Sequence, residues 1–300
     1  MSTLQLSRPA GALPTAIVPP ARRRNWRKIG GTTAFHSASI LVSVVWFFPI
    51  ALVILTSFRS FGDIARNGVG SIPNDPLIAS NYAEAWTEAG MFRAMINSFV
   101  ITIPVVLLTL TLASFAAYGL SRYRLRFRRT ILLVMLAGNL LPAQLLLIPY
   151  VKIAEGLGVF DMFATVIAVQ TAFGLGFYTF VLYGFMRAIP FELQDAASID
   201  GAGVMRTYFQ IILPLCRPAL AALGALAFTG VFNDLLIAIT LLRTDDKFPV
   251  TAAVLSLLGE YNAEYNLISA ATVIAATPCV IVFLIFQRSF IGGLALGAVK

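Results

Sequence analysis

The residues that invite a chemical reading lie in one short segment, FELQDAASIDGAGVMRTYFQIILPLCRP, at positions 191–218. Its spacing predicts two short helices with a sharp break. Pro190 stands just before the first helix, where a missing backbone donor costs little. Leu193, Ala196 and Ala197 fall at i, i+3 and i+4 and make one small apolar stripe. Glu192 and Asp195 sit near the helix N-terminus, where acids are favoured. Gly201 ends the helix in a left-handed conformation, and Asp200 accepts backbone donors of the next turn. Met205, Phe209 and Ile212 line a second face, and Pro214 closes it. As pattern alone, a solvated amphipathic loop beside lipid headgroups explains the segment as well. Its acids argue against that alternative, since interfacial helices are usually basic on their polar face.

Catalysis has little to work with. The two cysteines, Cys216 and Cys279, are far apart, and His36 is the single histidine. That set makes neither a structural zinc site nor a disulfide framework. Small apolar packing explains the cysteines, and an interfacial position explains His36. No G-x-x-x-x-G-K-[ST] phosphate loop occurs, and Gly174 and Gly176 lie in an apolar run without a third glycine. The remaining candidates are polar residues inside apolar stretches. Asp234, beside Asn233, is the main ionisable group, and such a group is costly in lipid. It either serves function or caps and anchors helices. Asn139, Gln144 and Gln170 either line a polar path or hydrogen-bond between helices. Tyr150 and Tyr178 are candidate aromatic partners for such a path. No spacing selects among them.

What must position these groups is a membrane bundle. The 300 residues are 58% hydrophobic and 12% charged, with mean hydropathy +0.84. A soluble domain carries about a quarter charged residues, so the solvent here is largely lipid. A span takes about 20 residues, and six stretches qualify: 35–58, 94–120, 131–151, 162–186, 218–241 and 267–286. Residues 1–33 read as a disordered cytoplasmic tail, and the apolar run behind it is too long for a secretory leader. With the N-terminus inside, 16 of the 22 lysines and arginines face the cytoplasm and 6 face outward. This orientation signal explains the net charge of +8 better than nucleic acid does. The outer loops at 59–93 and 242–266 are long enough to touch an external partner. Pro49, Pro104, Pro142, Pro149 and Pro278 predict kinks within spans.

The segment after the fourth span resembles the signature loop of ATP-binding-cassette (ABC) importer permeases, E-A-A-x-x-x-G with a downstream L-P. The matching residues are Asp195, Ala196, Ala197 and Gly201, then Ile211, Leu213 and Pro214. Asp200 and Ala202 fit the D-G-A of the sugar-permease version, as do Pro190, Glu192 and Leu193. One position departs: the first acid is Asp195 rather than glutamate, which keeps the charge on a shorter arm. Asn81, Tyr82, Trp86, Asn97 and Ser98 resemble the approach to span two in the maltose-type carbohydrate importers. Phe232-Asn233-Asp234 and the ending from Gln287 to Lys300 resemble further elements of that subfamily.

The resemblance implies an all-α, polytopic protein with the type I importer permease fold, six transmembrane helices, and both termini inside. The transmembrane domain covers 34–300, with a coupling loop at 187–217. Glu192, Leu193, Asp195, Ala196, Ala197, Asp200, Gly201 and Ala202 are its implied contacts with a cytoplasmic ATPase. The implied partners are a second homologous permease, two ATPase subunits, an extracytoplasmic solute-binding protein and membrane lipid. ATP and magnesium would reside in the ATPases and no cofactor or metal in this chain. The expected site is a bacterial cytoplasmic membrane and the expected cargo is a sugar. In this subfamily the partner permease can hold most of the sugar contacts. An ion-gradient-driven secondary transporter is the alternative, weakened by the lack of a convincing repeat between the halves.

Overall fold

The computed structural model describes residues 26–87, 90–259 and 264–298, with side chains between 35 and 289 in those ranges. Residues 1–25 of the predicted tail at 1–33 lie outside them, as do the closing residues Val299 and Lys300. The side chains of the glycine-rich ending are likewise not described. Helices and the loops between them make up the described residues, with no strand among them. Helices close their hydrogen bonds within one segment, which lipid demands. In order they are α1 Trp26–Ser57, α2 Phe61–Asn67, α3 Ser80–Thr87, α4 Met91–Arg122, α5 Arg128–Leu140, α6 Leu147–Gly156 and α7 Phe163–Ala188. Then come α8 Glu192–Ile199, α9 Val204–Thr207, α10 Leu213–Leu215, α11 Arg217–Phe232, α12 Leu236–Leu241, α13 Val250–Ser256 and α14 Tyr265–Ala298.

The chain divides into two units, residues 1–50 and 51–300. The first holds most of α1, whose backbone is helical from Trp26, inside the stretch read as tail. Four helices are long and apolar enough to cross a membrane: α1 from Phe35, α4, α7 and α14 to Ser289. Two bent pairs complete six spans when each pair is counted once. The third predicted span is not one rod. It breaks at Leu141–Pro142 into α5 and a second piece from Ala143 to Gly156, at 90°. Pro142 lacks the donor that would continue the ladder, and Leu141 before it is extended. The fifth predicted span, 218–241, is also interrupted, because α11 stops at Phe232 and Asn233–Leu235 separate it from α12.

Within residues 51–300 the core is built by small side chains that let helices approach closely. Ala113 and Ala117 of α4 are buried against Leu182 and Met186 of α7, together with Tyr208, Ile212 and Cys216. At another level, Ile101 and Val105 of α4 meet Val166 of α7 and Ile237 and Leu241 of α12. A third cluster joins Met91 and Met95 to Phe232, Val250, Ala270 and Ala271. In the small-residue run of α11, Ala225 and Ala227 are buried, and a β-carbon on Gly224 would lie 3.5 Å from Leu110 of α4.

The segments between spans are tied by buried polar groups. Arg59 Nε donates to Asp63 Oδ2 at 2.7 Å, with both side chains 1% exposed. The rest of the Arg59 guanidinium donates to the carbonyls of Gly68, Val69 and Ser71 and to Ser71 Oγ. Asn81 donates to the carbonyls of Ser57 and Arg59 and accepts from Asn266. Tyr82 bonds Ser57. Asn97 donates to the carbonyls of Asp246 and Phe248, while Ser98 Oγ accepts from Val250 N. These residues of the subfamily-like pattern are thus structural ties. Asp161 is a tie the sequence did not reveal. Its backbone adopts φ 58°, which Asp tolerates better than most residues. Its carboxylate accepts from the backbone N–H groups of Arg243 and Thr244, from Thr244 Oγ1 and from Lys247 Nζ.

These ties set a pH prediction. The backbone donor of Arg243, then Lys247 and Thr244, hold Asp161 well below the usual carboxylate range. The Arg59 hydrogen bond does the same for Asp63, against the opposing effect of burial. A folded-state pKa below the ordinary 3.8 means stabilisation that is complete above 3.8 and lost as pH falls through the lower folded value. The melting temperature of the purified protein is therefore expected to be insensitive to these groups above about pH 5 and to fall below about pH 4. Asp161→Asn should lower it at neutral pH and flatten the acid limb. An unchanged acid limb in that variant would refute the assignment.

Candidate functional site

Two places collect the residues singled out by sequence. The first is the segment after α7. Ile189 and Pro190 leave the α7 helix in extended backbone and in a turn, and α8 starts at Glu192. Its acids, Glu192 and Asp195, occupy the first turn, where the helix dipole favours them. The helix ends in a Schellman motif: Ala202 N donates to Ala197 O at 2.8 Å and Gly201 N to Ser198 O at 3.1 Å. Gly201 supplies the left-handed residue this motif needs, at φ 75°. Asp200 takes the C-cap position of α8, whereas the N-cap of α9 is Gly203. The expected capping by Asp200 is therefore not how the second helix begins.

Pro214 does not close the second helix either. Residues from Val204 to Leu215 run continuously through a π-turn at Tyr208–Ile212, and the 73° bend follows before Arg217. In the π-turn Leu213 N reaches back to Tyr208 O. The register thus shifts just before the proline, which has no donor of its own. Burial within the segment is one-sided. Ala197, Tyr208, Ile212 and Cys216 are buried. Glu192, Leu193, Asp195, Ala196, Asp200 and Gly201 are exposed, Ala202 half-buried, and Ile199 is 86% exposed. On the inner side, Arg122 is buried, donates to Met186 O and lies 4.8 Å from the Phe191 ring centre. It fixes the ends of α4 and α7 to the start of α8.

The second place is a cavity of about 270 Å³ between α4, α5, α7, α11 and α12. It brings together Asn139, Gln170 and Asp234 with Tyr178, and adds Thr109, Phe173 and Phe177. Asp234 stands in the break after α11. Its Oδ1 accepts from Ile237 N at 3.1 Å and from Gln170 Nε2 at 3.4 Å. Asp234 is thus both a helix anchor and a lining group, so the two readings of it are compatible. Gln144 and Asn233 stand apart. Gln144 is exposed on the turn after Pro142, and Asn233 is exposed and donates to Thr229 O and Cys279 Sγ. Neither lines the cavity. Sequence reasoning missed Thr109, whose hydroxyl has no hydrogen-bond partner among the described residues. Its spacing of four from Val105, on a helix facing α7, was the available signal.

The cavity offers amide donors, a carboxylate and hydroxyls among aromatic faces inside a membrane bundle. That is binding chemistry for a polar solute, with no nucleophile–base pair on display. No cluster of metal-ligating residues occurs among the described residues.

Known proteins share this fold. The chain is 33% identical over 267 residues to the diacetylchitobiose uptake system permease NgcG of Streptomyces coelicolor, covering 88% of each chain. It is 31% identical to the melibiose/raffinose/stachyose import permease MelC of Bacillus subtilis, covering 87% of this chain and 94% of that one. A bacterial ABC transporter that imports the acidic polysaccharide alginate shares the fold, with TM-score 0.74 at 21% identity over 90% of this chain and 99% of that chain. The same transporter type, in complex with an alginate pentasaccharide-bound periplasmic protein, matches with TM-score 0.66 at 16% identity over 88% and 96%. The sequence profile of the binding-protein-dependent transport system inner membrane component family matches residues 109–294, from the middle of α4 through α14, including both the exposed segment and the cavity. With that span matched and relatives at this identity, the chain belongs to the binding-protein-dependent transport system inner membrane components, as a multi-pass permease subunit of an ABC importer.

Proposed function

We propose that this permease moves a neutral sugar or small oligosaccharide through the Asp234 cavity, and that ATPase subunits drive it through the segment at 187–217. The cavity carries the reading. Asn139, Gln170, Asp234 and Thr109 offer donors and acceptors beside Phe173, Phe177 and Tyr178, and hydroxyl-rich rings are recognised by such pairs of polar groups and aromatic faces. The relatives agree in kind, since their names specify oligosaccharides. Sixteen of the 22 basic residues favour N-terminus and C-terminus inside, which puts the α8 segment in the cytoplasm. There Glu192, Asp195 and Ile199 are exposed for contact. Energy then arrives from two ATPases that hold ATP and magnesium, this chain contributing no hydrolytic site of its own. A second permease completes the bundle, and a solute-binding protein delivers the cargo outside; the alginate transporter is in complex with such a periplasmic protein, bound to an alginate pentasaccharide. The ion-gradient alternative finds no support among the relatives.

The test is uptake by the reconstituted transporter, with its partner permease, ATPases and binding protein, in vesicles. Uptake should require ATP and survive an uncoupler; the reverse would overturn the mechanism. Asp234→Ala should weaken substrate transport by roughly ten- to a hundredfold, since a hydrogen bond to a charged group contributes about 1.5–3 kcal/mol. ATP hydrolysis by the assembled complex should persist in that variant. Unchanged uptake would remove Asp234 from the path.

A further inference from the structure

The loop between α4 and α5 reads Tyr-Arg-Leu-Arg-Phe-Arg-Arg at 123–129. Orientation in the membrane accounts for its charge but not for its geometry. Arg128, at the first position of α5, places its guanidinium carbon 5.8 Å from the centre of the Tyr183 ring. Arg187, near the end of α7, lies 6.0 Å from the same centre and donates to the Tyr183 hydroxyl at 2.7 Å. One half-buried ring thus gathers two like charges from two different elements. Gathering two cations at one ring is unfavourable unless an anion sits beside them. No carboxylate does so: among the described residues, the ion pairs are Arg59–Asp63, Arg66–Asp75, Arg93–Asp246 and Lys247–Asp161.

The surroundings favour an anion with an apolar tail. Residues 124–130 line a cleft of about 420 Å³. Phe127, at the N-cap of α5, gives no side-chain cap, so the first N–H groups of α5 add to the positive field. Apolar side chains alternate with the arginines and point outward: Leu125 is 46% exposed, Phe127 62% and Ile131 40%. At the boundary of two spans, such side chains enter the acyl region while arginines stay at headgroup level. Clusters of this kind beside a transmembrane helix attract anionic lipids.

We infer that Arg128 and Arg187, gathered on Tyr183, form the base of a binding site for the phosphate headgroup of an anionic phospholipid in the cytoplasmic leaflet. Arg124, Arg126 and Arg129 line the adjoining cleft with Arg128. The site borders the α7 end that leads into α8, so an occupied headgroup holds α5 and α7 together at the root of that segment. This inference rests on the orientation given above and not on the ATPase contacts of α8.

The assembled complex, placed in discs of phosphatidylcholine and phosphatidylglycerol, tests it by the lipid that stays bound when the complex is released into the gas phase. The wild type should retain phosphatidylglycerol preferentially. Each basic residue near an anionic leaflet contributes a factor of about five, so Arg128→Gln with Arg187→Gln should reduce the preference about twenty-five-fold. Arg128→Lys with Arg187→Lys, which keeps the charge, should retain most of it. Tyr183→Phe, which keeps the ring and loses the Arg187 bond, should reduce it a few-fold and is the variant to read if the glutamine pair fails to assemble. A wild-type preference in both the glutamine pair and Tyr183→Phe overturns the site. So does displacement of the lipid by millimolar inorganic phosphate or glycerol phosphate, which would make the ligand a soluble anion. Loss of the ATPase subunits from the glutamine pair, with lipid retention intact, would make the cluster a subunit contact and overturn it too.

Discussion

Replacing Gly201 by valine is expected to leave the transporter assembled and to lower its substrate-stimulated ATP hydrolysis roughly five- to thirtyfold. The reason is backbone geometry alone. Gly201 sits at φ 75°, and a β-carbon there would meet nothing within 4 Å. The loss therefore does not come from a clash with a neighbour. It comes from the left-handed conformation, which costs a residue with a β-carbon about 1–2 kcal/mol and is worst for a β-branched one. Relief means undoing the bonds from Ala202 to Ala197 and from Gly201 to Ser198, which re-aims α8 relative to α9. Gly201→Asn is the informative companion, because asparagine tolerates this conformation, and it should keep most of the coupling. Gly203→Ala is the control, since Gly203 has φ −71° and needs no glycine. Asp195→Ala should impair coupling without touching the turn. Wild-type stimulation in both Gly201→Val and Asp195→Ala would show that the exposed segment does not carry the coupling.

How far the sequence reached can be read from these same residues. Gly201 was legible because glycine is the residue that most readily takes a left-handed turn at the end of a short amphipathic run. The long apolar helices were legible because lipid enforces both their length and their composition. The breaks were not. Pro142 announced a kink, but a 90° turn at Leu141–Pro142 depends on what packs around the two pieces. Pro104 shows the contrast, since α4 runs from Met91 to Arg122 straight through it in sequence. The interruption at Asn233–Leu235 was hidden for a related reason. Asp234 caps α12 by accepting from Ile237 N, and an intramembrane acid alone does not say whether it caps a helix or faces a cavity. Here it does both. The path candidates divided along the same line: Gln170 reaches from α7 to Asp234 after α11, whereas Gln144, on the turn after Pro142, is exposed. Side-chain polarity marked all of them, and only the packing of five helices decided which ones converge.

Among the described glycines, Gly176→Ala should have the largest effect. Sequence offered Gly174 and Gly176 only as a weak glycine pattern, yet the two positions differ sharply in surroundings. A β-carbon on Gly176 would lie 2.1 Å from Met135 O and 2.6 Å from Asn139 Nδ2. The first neighbour is backbone, so α5 and α7 would have to separate by about 0.9 Å to restore even the tightest tolerated spacing of 3.0 Å. Overpacking typically costs about 1–3 kcal/mol, and a clash with main chain belongs at or above the upper end. A β-carbon on Gly174 would lie 3.2 Å from Tyr178 and 3.3 Å from Thr109, both side-chain atoms that can yield by a few tenths of an ångström. Gly174→Ala should therefore be mild, within about 1 kcal/mol. Thermal inactivation of the two variants in detergent measures the contrast, and equal stability would mean that α5 and α7 are not in this close approach. The same displacement has a second consequence, because Asn139, the other atom struck, lines the cavity with Gln170 and Asp234. The surviving fraction of Gly176→Ala should thus transport poorly per folded molecule, whereas a purely structural glycine would leave the transport rate of each folded molecule intact.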